Sequence, residues 1–312
     1  MASAAMPKIA VLLPCYNEEA AISATIAGFK AALPMAVIYV YDNNSSDGTI
    51  SSAKAAGAIV RSEKQQGKGH VVRRMFADID ADVYIMADGD LTYDPAAAPT
   101  MVDMLLKEQL DMVVGTRRHE HKEAYRGGHV IGNKVFTGLL SGLFGRSFSD
   151  IFSGYRVFSR RFVKSFPVLS AGFEIETEMS VHALELRMPV GEFETTYAAR
   201  PEGSHSKLST YGDGWKILRT IATLYRVERP VLFYGSIGAI LVIAAILLAI
   251  PLVQTYLKTG LVPRFPTAIL VTGMVIVAVL CFFAGLILDT VTRGRREIRR
   301  LSYLSLEAPR QL

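Results

Sequence analysis

The chain has 312 residues, half of them hydrophobic, with 34 Lys and Arg against 29 Asp and Glu and only two cysteines. Its mean hydropathy of +0.27 is high for a wholly soluble enzyme. That length allows one large domain with an appendage, and two cysteines exclude a disulfide scaffold.

The net charge of +5 divides unevenly. From Tyr211 onward the chain holds 12 of the 34 Lys and Arg and 5 of the 29 Asp and Glu, a balance of +7, which leaves −2 for the first 210 residues. The basic excess therefore does not mark a nucleic-acid-binding face, and no nucleic-acid partner is expected. The opening "MASAAMPKIAVLLP" has neither a basic flank nor a long apolar core with a cleavage site, so a signal peptide is not expected.

Over the first 115 residues, short β-branched apolar runs alternate with helical patterns. Strands are predicted at Ile9 to Pro14, Val37 to Asp42, Ala58 to Arg61, Val83 to Ala87 and Met112 to Gly115. Helices are predicted at Glu18 to Ala32, Thr49 to Ala56, Lys68 to Ile79 and Pro95 to Glu108. Such alternation specifies an α/β fold with a mostly parallel, Rossmann-like sheet. Ligands of such sheets bind at the carboxyl ends of the strands. Polar clusters fall at three of those ends: Tyr16-Asn17-Glu18, Asp42-Asn43-Asn44 and Asp88-Gly89-Asp90.

Two amphipathic stretches follow, 133–148 and 211–229. The second is expected at a bilayer surface because it leads into an apolar run. No charged residue occurs from Val231 to Leu257 or from Phe265 to Leu288, and about 20 apolar residues suffice to cross a bilayer core. Lys216, Arg219, Arg226 and Arg229 precede the first run, and Arg293, Arg295, Arg296, Arg299 and Arg300 follow the second. The connecting loop offers only Lys258 and Arg264. The positive-inside rule then places both ends in the cytoplasm. Cys15 and Cys281 fall in different parts and are not expected to pair.

The turn "ADGDLTYDP" concentrates three carboxylates. Asp94, before Pro95, is explained as a helix cap. Asp88 and Asp90 are not, and carboxylates two apart at a strand end suit a hard divalent cation that also takes phosphate oxygens. The six histidines show no zinc-ligand spacing, His119 and His121 included.

"VLLPCYNEEAAI", "YDNNSSDGT", "QQGKGHVVRR", "ADGDLTYDP", "VVGTR", "FSDIFSGYRVFSR" and "RPEGSHSKL" occur in this order over residues 8–210. Together they resemble the inverting nucleotide-sugar glycosyltransferases of family 2, with the GT-A fold. With two C-terminal spans, the chain resembles the polyisoprenyl-phosphate branch, which includes dolichyl-phosphate mannosyltransferases and bacterial undecaprenyl-phosphate glucosyltransferases. The division implied is 1–210 for a catalytic domain, 211–230 for a juxtamembrane amphipathic helix, 231–290 for a two-helix transmembrane hairpin and 291–312 for a basic cytoplasmic tail.

The resemblance implies that Pro14, Tyr16, Asn17, Glu18, Asp42, Lys68, Asp88 and Gly89 bind the nucleotide, with Asp42 facing the base. It implies that Asp88 and Asp90 hold Mg²⁺ or Mn²⁺. Thr92 stands where the dolichyl-phosphate enzymes place a glutamine that helps hold the metal. Arg117 matches an arginine for the acceptor lipid phosphate, and Arg200 and Lys207 match basic residues that close over the donor diphosphate. Ser153-Gly154-Tyr155-Arg156 matches a segment on the acceptor side, with no step assigned to Arg156. Glu174, Glu176 and Glu178 would share one face of a strand or orient neighbouring basic groups, and they receive no role. The implied partners are a nucleotide sugar, UDP-glucose ahead of GDP-mannose, a polyisoprenyl phosphate and the lipid bilayer; a homo-oligomer stays open. A processive polysaccharide synthase is disfavoured because Trp215 does not lie in a Gln-x-x-Arg-Trp segment. A tethered transferase with a non-lipid acceptor is the main alternative.

Overall fold

The computed structural model describes residues 6–119, 138, 148–172, 174–198, 223 and 225–309. Two compact units result, one formed by residues 1–214 together with 299–312, the other by 215–298.

In the first unit, strands β1 (Ile9–Cys15), β2 (Val37–Asp42), β3 (Ile59–Ser62), β4 (Val83–Met86), β5 (Met112–His119), β6 (Arg156–Ser159) and β7 (Val190–Tyr197) form one sheet in the order β3-β2-β1-β4-β6-β5-β7. All neighbouring pairs are parallel except those made by β6, which runs against both β4 and β5. Helices α1 (Glu19–Ala32), α2 (Thr49–Ala55), α3 (Lys68–Asp78) and α4 (Ala98–Lys107) occupy the predicted positions. The last is preceded by one 3₁₀ turn at Pro95–Ala97, which the Asp94 side chain caps by accepting from the Ala96 N–H. Helices α5 (Arg160–Ser165) and α6 (Ile175–Glu185) follow β6.

The spacing of apolar residues explains the layers. Ile22, Ile26 and Phe29 recur along one face of α1 and pack with Val11 and Leu13 of β1 and with Met101 and Leu105 of α4. Phe76, Tyr84, Phe158, Phe162 and Phe166 form a separate aromatic cluster of edge-on and stacked rings. Burying a side chain of this size contributes roughly 1.5–3 kcal/mol relative to exposure. His182 packs against Phe162 and Phe166, and burial pushes its imidazole down to about 3, which makes it a neutral core residue.

Helix α8 (Phe265–Leu304) continues into the region expected as a tail, as far as Leu304, and its last turns belong to the first unit. There Tyr303 donates its hydroxyl to buried Asp111 at 2.7 Å, Arg161 makes a two-pronged bond to the same carboxylate, and the Arg161 guanidinium lies 4.3 Å over the Tyr303 ring. Arg299 pairs with Glu185 at 2.7 Å.

The second unit contains α7 (Pro230–Thr259) and the remainder of α8, both long and apolar enough to cross a membrane. Their close approach uses small residues. A Cβ on Gly238 would lie 3.1 Å from the Ala278 carbonyl oxygen, and one on Gly285 would lie 3.3 Å from that of Pro230. Elsewhere Ile240, Leu247, Leu280 and Ile287 are exposed. Of the two amphipathic stretches, 133–148 is described only at 138 and 148, and 211–229 only at 223 and 225–229.

Candidate active site

The strand order reverses beside β1, where β2 and β3 go to one side and β4 to the other, so a crevice opens at the carboxyl ends of β1 and β4. Register sets Cys15 opposite Asp42 and Leu12 opposite Met86. The residues just beyond these strand ends are therefore neighbours. They are Tyr16-Asn17-Glu18, Asn43-Asn44 and Asp88-Gly89-Asp90, and Pro14 lies within β1 itself.

The first two loops are laced together by backbone donors. Asn17, held at φ 53°, donates its N–H to Ser45 Oγ, and its side-chain oxygen accepts from the Ser46 N–H, each at 2.8 Å. Glu18 is buried and its N–H donates to Thr49 Oγ1. Tyr16 projects outward and is partly exposed. Asn43 donates to the carbonyls of Glu63 and Gln65 and accepts from the Gly67 N–H, which fixes the loop before α3. Asp42 lies within this frame at 2% exposure. Its Oδ2 accepts from the Ser45 N–H at 3.2 Å, whereas Oδ1 is buried with no partner among the described residues. A buried carboxylate oxygen without a donor costs stability, so it is expected to be satisfied by a ligand.

The carboxylate turn is equally constrained. Asp90 is buried, and its Oδ1 accepts from the Thr92 N–H at 3.2 Å and from the Thr92 hydroxyl at 2.6 Å. Leu91 between them takes φ 60°, a left-handed conformation that a branched side chain adopts only under local constraint. Thr92, placed by sequence at a metal position, thus spends its proton on a candidate metal ligand. Gly89 has no room for a side chain, since a Cβ would lie 2.5 Å from Cys15 Sγ.

Asp88 already has a cation. Lys68 Nζ lies 2.5 Å from Asp88 Oδ1 and 2.6 Å from Glu176 Oε1. Burial works to lower the lysine, but the two carboxylates outweigh it and hold Lys68 protonated, well above its usual range. Glu176 is in the first turn of α6, so the expectation of a strand over Glu174–Glu178 is corrected. On a helix, residues two apart are separated by about 200°, and these side chains diverge: Glu178 accepts from the N–H groups of Leu169 and Ser170, whereas Glu176 orients Lys68.

Two carboxylates with oxygen donors only fit a hard cation such as Mg²⁺ or Mn²⁺, which completes its shell with water and diphosphate oxygens. Among the described residues, no three His, Cys, Asp or Glu converge as a metal group.

On the far side, Arg117 of β5 makes a two-pronged pair with Asp150, Nε to Oδ2 at 2.7 Å and Nη2 to Oδ1 at 2.8 Å. Its guanidinium lies 5.4 Å over the Tyr197 ring. Tyr93 packs its ring against both Tyr155 and Tyr197 and accepts from the Gly154 N–H. Arg156 does not face the site. It is fully buried, donating to the carbonyls of Ser153 and Ile151 and to Ser180 Oγ, and it pins the loop that carries Asp150. Sequence reasoning left Asp150, Tyr93 and Tyr197 without roles and assigned none to Glu176. Arg200 and Lys207 lie outside the described residues.

The sequence profile described as "Glycosyl transferase family 2" matches residues 10–166. The chain is 34% identical over 232 residues to glycosyltransferase AglJ of Haloferax volcanii, covering 74% of this chain and 76% of that protein. It is 26% identical to the dolichyl-phosphate hexose transferase of the same organism, covering 71% and 95%. Its fold is similar to that of Mycobacterium tuberculosis glucosyl-3-phosphoglycerate synthase, crystallised with Mn²⁺ and UDP, at a TM-score of 0.58 and 24% identity over 70% of this chain and 79% of that one. The profile covers the strand ends and the carboxylate turn that build the crevice. The chain belongs to glycosyl transferase family 2, with a GT-A-like fold.

Proposed function

We propose that this glycosyltransferase moves a hexose from a UDP-sugar, UDP-glucose ahead of others, to a polyisoprenyl phosphate at the cytoplasmic face of a membrane, with inversion at the anomeric carbon. The observation that carries the acceptor is the pair of helices α7 and α8, whose long charge-free stretches expose Ile240, Leu247, Leu280 and Ile287. Such surface calls for lipid, which is where a polyisoprenyl tail resides. The dolichyl-phosphate relative supports the same reading, and the arginines after α8's apolar stretch favour the cytoplasmic side.

Asp42 supports uridine. One of its oxygens is committed to Ser45 and the other has no partner among the described residues, which matches the single N3–H donor of uracil. Guanine presents two adjacent donors and would ask for both oxygens. Asp42→Ala is expected to weaken UDP binding by roughly 10- to 100-fold, the worth of one hydrogen bond to a charged group, read by calorimetric titration of UDP into the purified enzyme.

The chemistry asks for no general base. A phosphate monoester has its second pKa near 6, so the acceptor is already a nucleophile. Its oxygen bonds to the anomeric carbon as the bond to the β-phosphate oxygen breaks, and that electron pair leaves with UDP. When bound, a divalent cation neutralises charge on the leaving diphosphate. Asp88 and Asp90 would hold it, with Thr92 orienting Asp90. Arg117, steadied by Asp150, would receive the acceptor phosphate as a planar donor. Arg200 and Lys207 would add positive charge at the leaving group.

The test is incubation with labelled UDP-glucose or GDP-mannose, polyprenyl phosphate and Mn²⁺, then partition into organic solvent. Label from UDP-glucose should enter the organic phase. Label that stays in water would overturn the lipid acceptor, and transfer from GDP-mannose alone would overturn uridine.

A further inference from the structure

The carboxylates at this site are not balanced by an incoming cation alone. Lys68, Asp88, Glu176 and Gly154 form one cluster: the ammonium bridges the two carboxylates, and a Cβ on Gly154 would lie 2.9 Å from Asp88 Oδ2 and 3.2 Å from Lys68 Nζ. The bridge is asymmetric. The side chains of Lys68 and Glu176 are 8% and 6% exposed, whereas that of Asp88 is 31% exposed. The two buried members are also anchored through the backbone. Lys68 opens α3 directly after Gly67, whose φ of 135° and 2.2 Å approach of a would-be Cβ to the Ala171 carbonyl oxygen admit only glycine. The Gly69 N–H donates to that same carbonyl, and Glu178 holds the N–H of neighbouring Ser170. The starts of α3 and α6 are thereby tied together, with the Lys68–Glu176 pair between them.

We propose that Lys68 is a resident counter-cation that competes with the divalent ion for Asp88, and that Glu176 is the positioning residue that draws Lys68 away from it. The proposal rests on the reading of Asp88 and Asp90 as metal-holding residues. Two carboxylates share one ammonium in this bridge, so the lysine alone does not neutralise both. The exposure difference fixes which bond is traded: an ion from solvent reaches Asp88, and the Lys68–Glu176 pair persists beneath it. Glu176 thereby sets metal affinity without touching the metal or the sugar.

Charge changes at the two buried positions then act with opposite sign. Glu176→Gln removes one negative charge and the carboxylate that shares Lys68 with Asp88, so Mn²⁺ should bind roughly fivefold or more weakly. Lys68→Gln removes the positive charge that competes for Asp88, so Mn²⁺ should bind more tightly by a similar factor. The Lys68→Gln/Glu176→Gln double variant has the parent's net charge and should return close to the parent affinity. The measurement is free Mn²⁺ by electron paramagnetic resonance during titration of the full chain in detergent, with and without UDP, alongside thermal melting of each protein. Asp90→Asn is the reference. If it binds Mn²⁺ like the parent, the metal reading falls and this proposal with it. If Asp90→Asn loses binding but Lys68→Gln also weakens it, Lys68 holds the nucleotide complex together directly and the competition is overturned. Should Lys68→Gln fail to fold, Glu176→Gln and the double variant decide: equal weakening in both, or none in Glu176→Gln, overturns the proposal.

Discussion

Asp90→Asn should lower sugar transfer by roughly three orders of magnitude, in the range lost when one preorganised electrostatic group is removed from an active site, and should leave the fold in place. Asparagine keeps a side-chain oxygen that accepts from the Thr92 N–H and hydroxyl, as Asp90 Oδ1 does now. The left-handed turn at Leu91 therefore has no reason to open. What disappears is the negative charge two residues from Asp88, and with it the second anionic ligand proposed for a hard cation. The check is the initial rate of label transfer across a Mn²⁺ series, with the melting temperature measured on the same samples. A melting temperature close to the parent's and a rate that added Mn²⁺ does not restore are expected; full metal-dependent transfer would overturn the assignment.

Arg156→Met should be among the most destabilising single changes in the first unit, by about 3 kcal/mol. Burial pushes this guanidinium down to about 10, with Glu176 and Asp150 opposing the drop, so it is still charged at neutral pH. Among the described residues its hydrogen-bond partners are the Ser153 and Ile151 carbonyls, Ser180 Oγ and the Met112 sulfur, none of them a carboxylate. Methionine fills similar volume but donates nothing. It would leave two buried carbonyls unsatisfied at about 1–3 kcal/mol each, offset in part by relief from burying a charge. The loop from Asp150 to Gly154 then loses its internal support, and Arg117 loses a fixed partner. Denaturant melts should show the loss of stability, and transfer assays should show a raised apparent KM for the acceptor.

The first half of the sheet was legible because it repeats a simple rule. Its strands and helices occupy their predicted places with ends displaced by at most one turn or a few residues, since β-branched runs and amphipathic periods alternate without exception up to Gly115. The second half obeys no such rule. In "RVFS" of β6 an arginine opens a fully buried strand, and nothing local tells that its charge is spent on loop carbonyls. "GFEIETEM" shows two-residue spacing like a strand, yet it leads into α6, because the partners that decide it, Lys68 and the N–H groups of Leu169 and Ser170, come from other turns. The site shows the same division. Residue types at the strand ends were readable, whereas the Lys68 bridge joins three segments distant in sequence and depends on where two loops meet.

The embrace of Asp111 by Arg161 and Tyr303 also bears on the order in which the protein is made. Tyr303 is 192 positions downstream of Asp111, and both apolar helices are translated in between. At about 5–20 residues per second, the nascent catalytic unit waits on the order of ten to forty seconds for its last turn of helix. Among the described residues, the nearer partners of the Asp111 side chain during that interval are Ser159 and Arg161. Closure of this cluster therefore waits on synthesis of both apolar helices: a ribosome that stalls before Tyr303 leaves Asp111 without that bond.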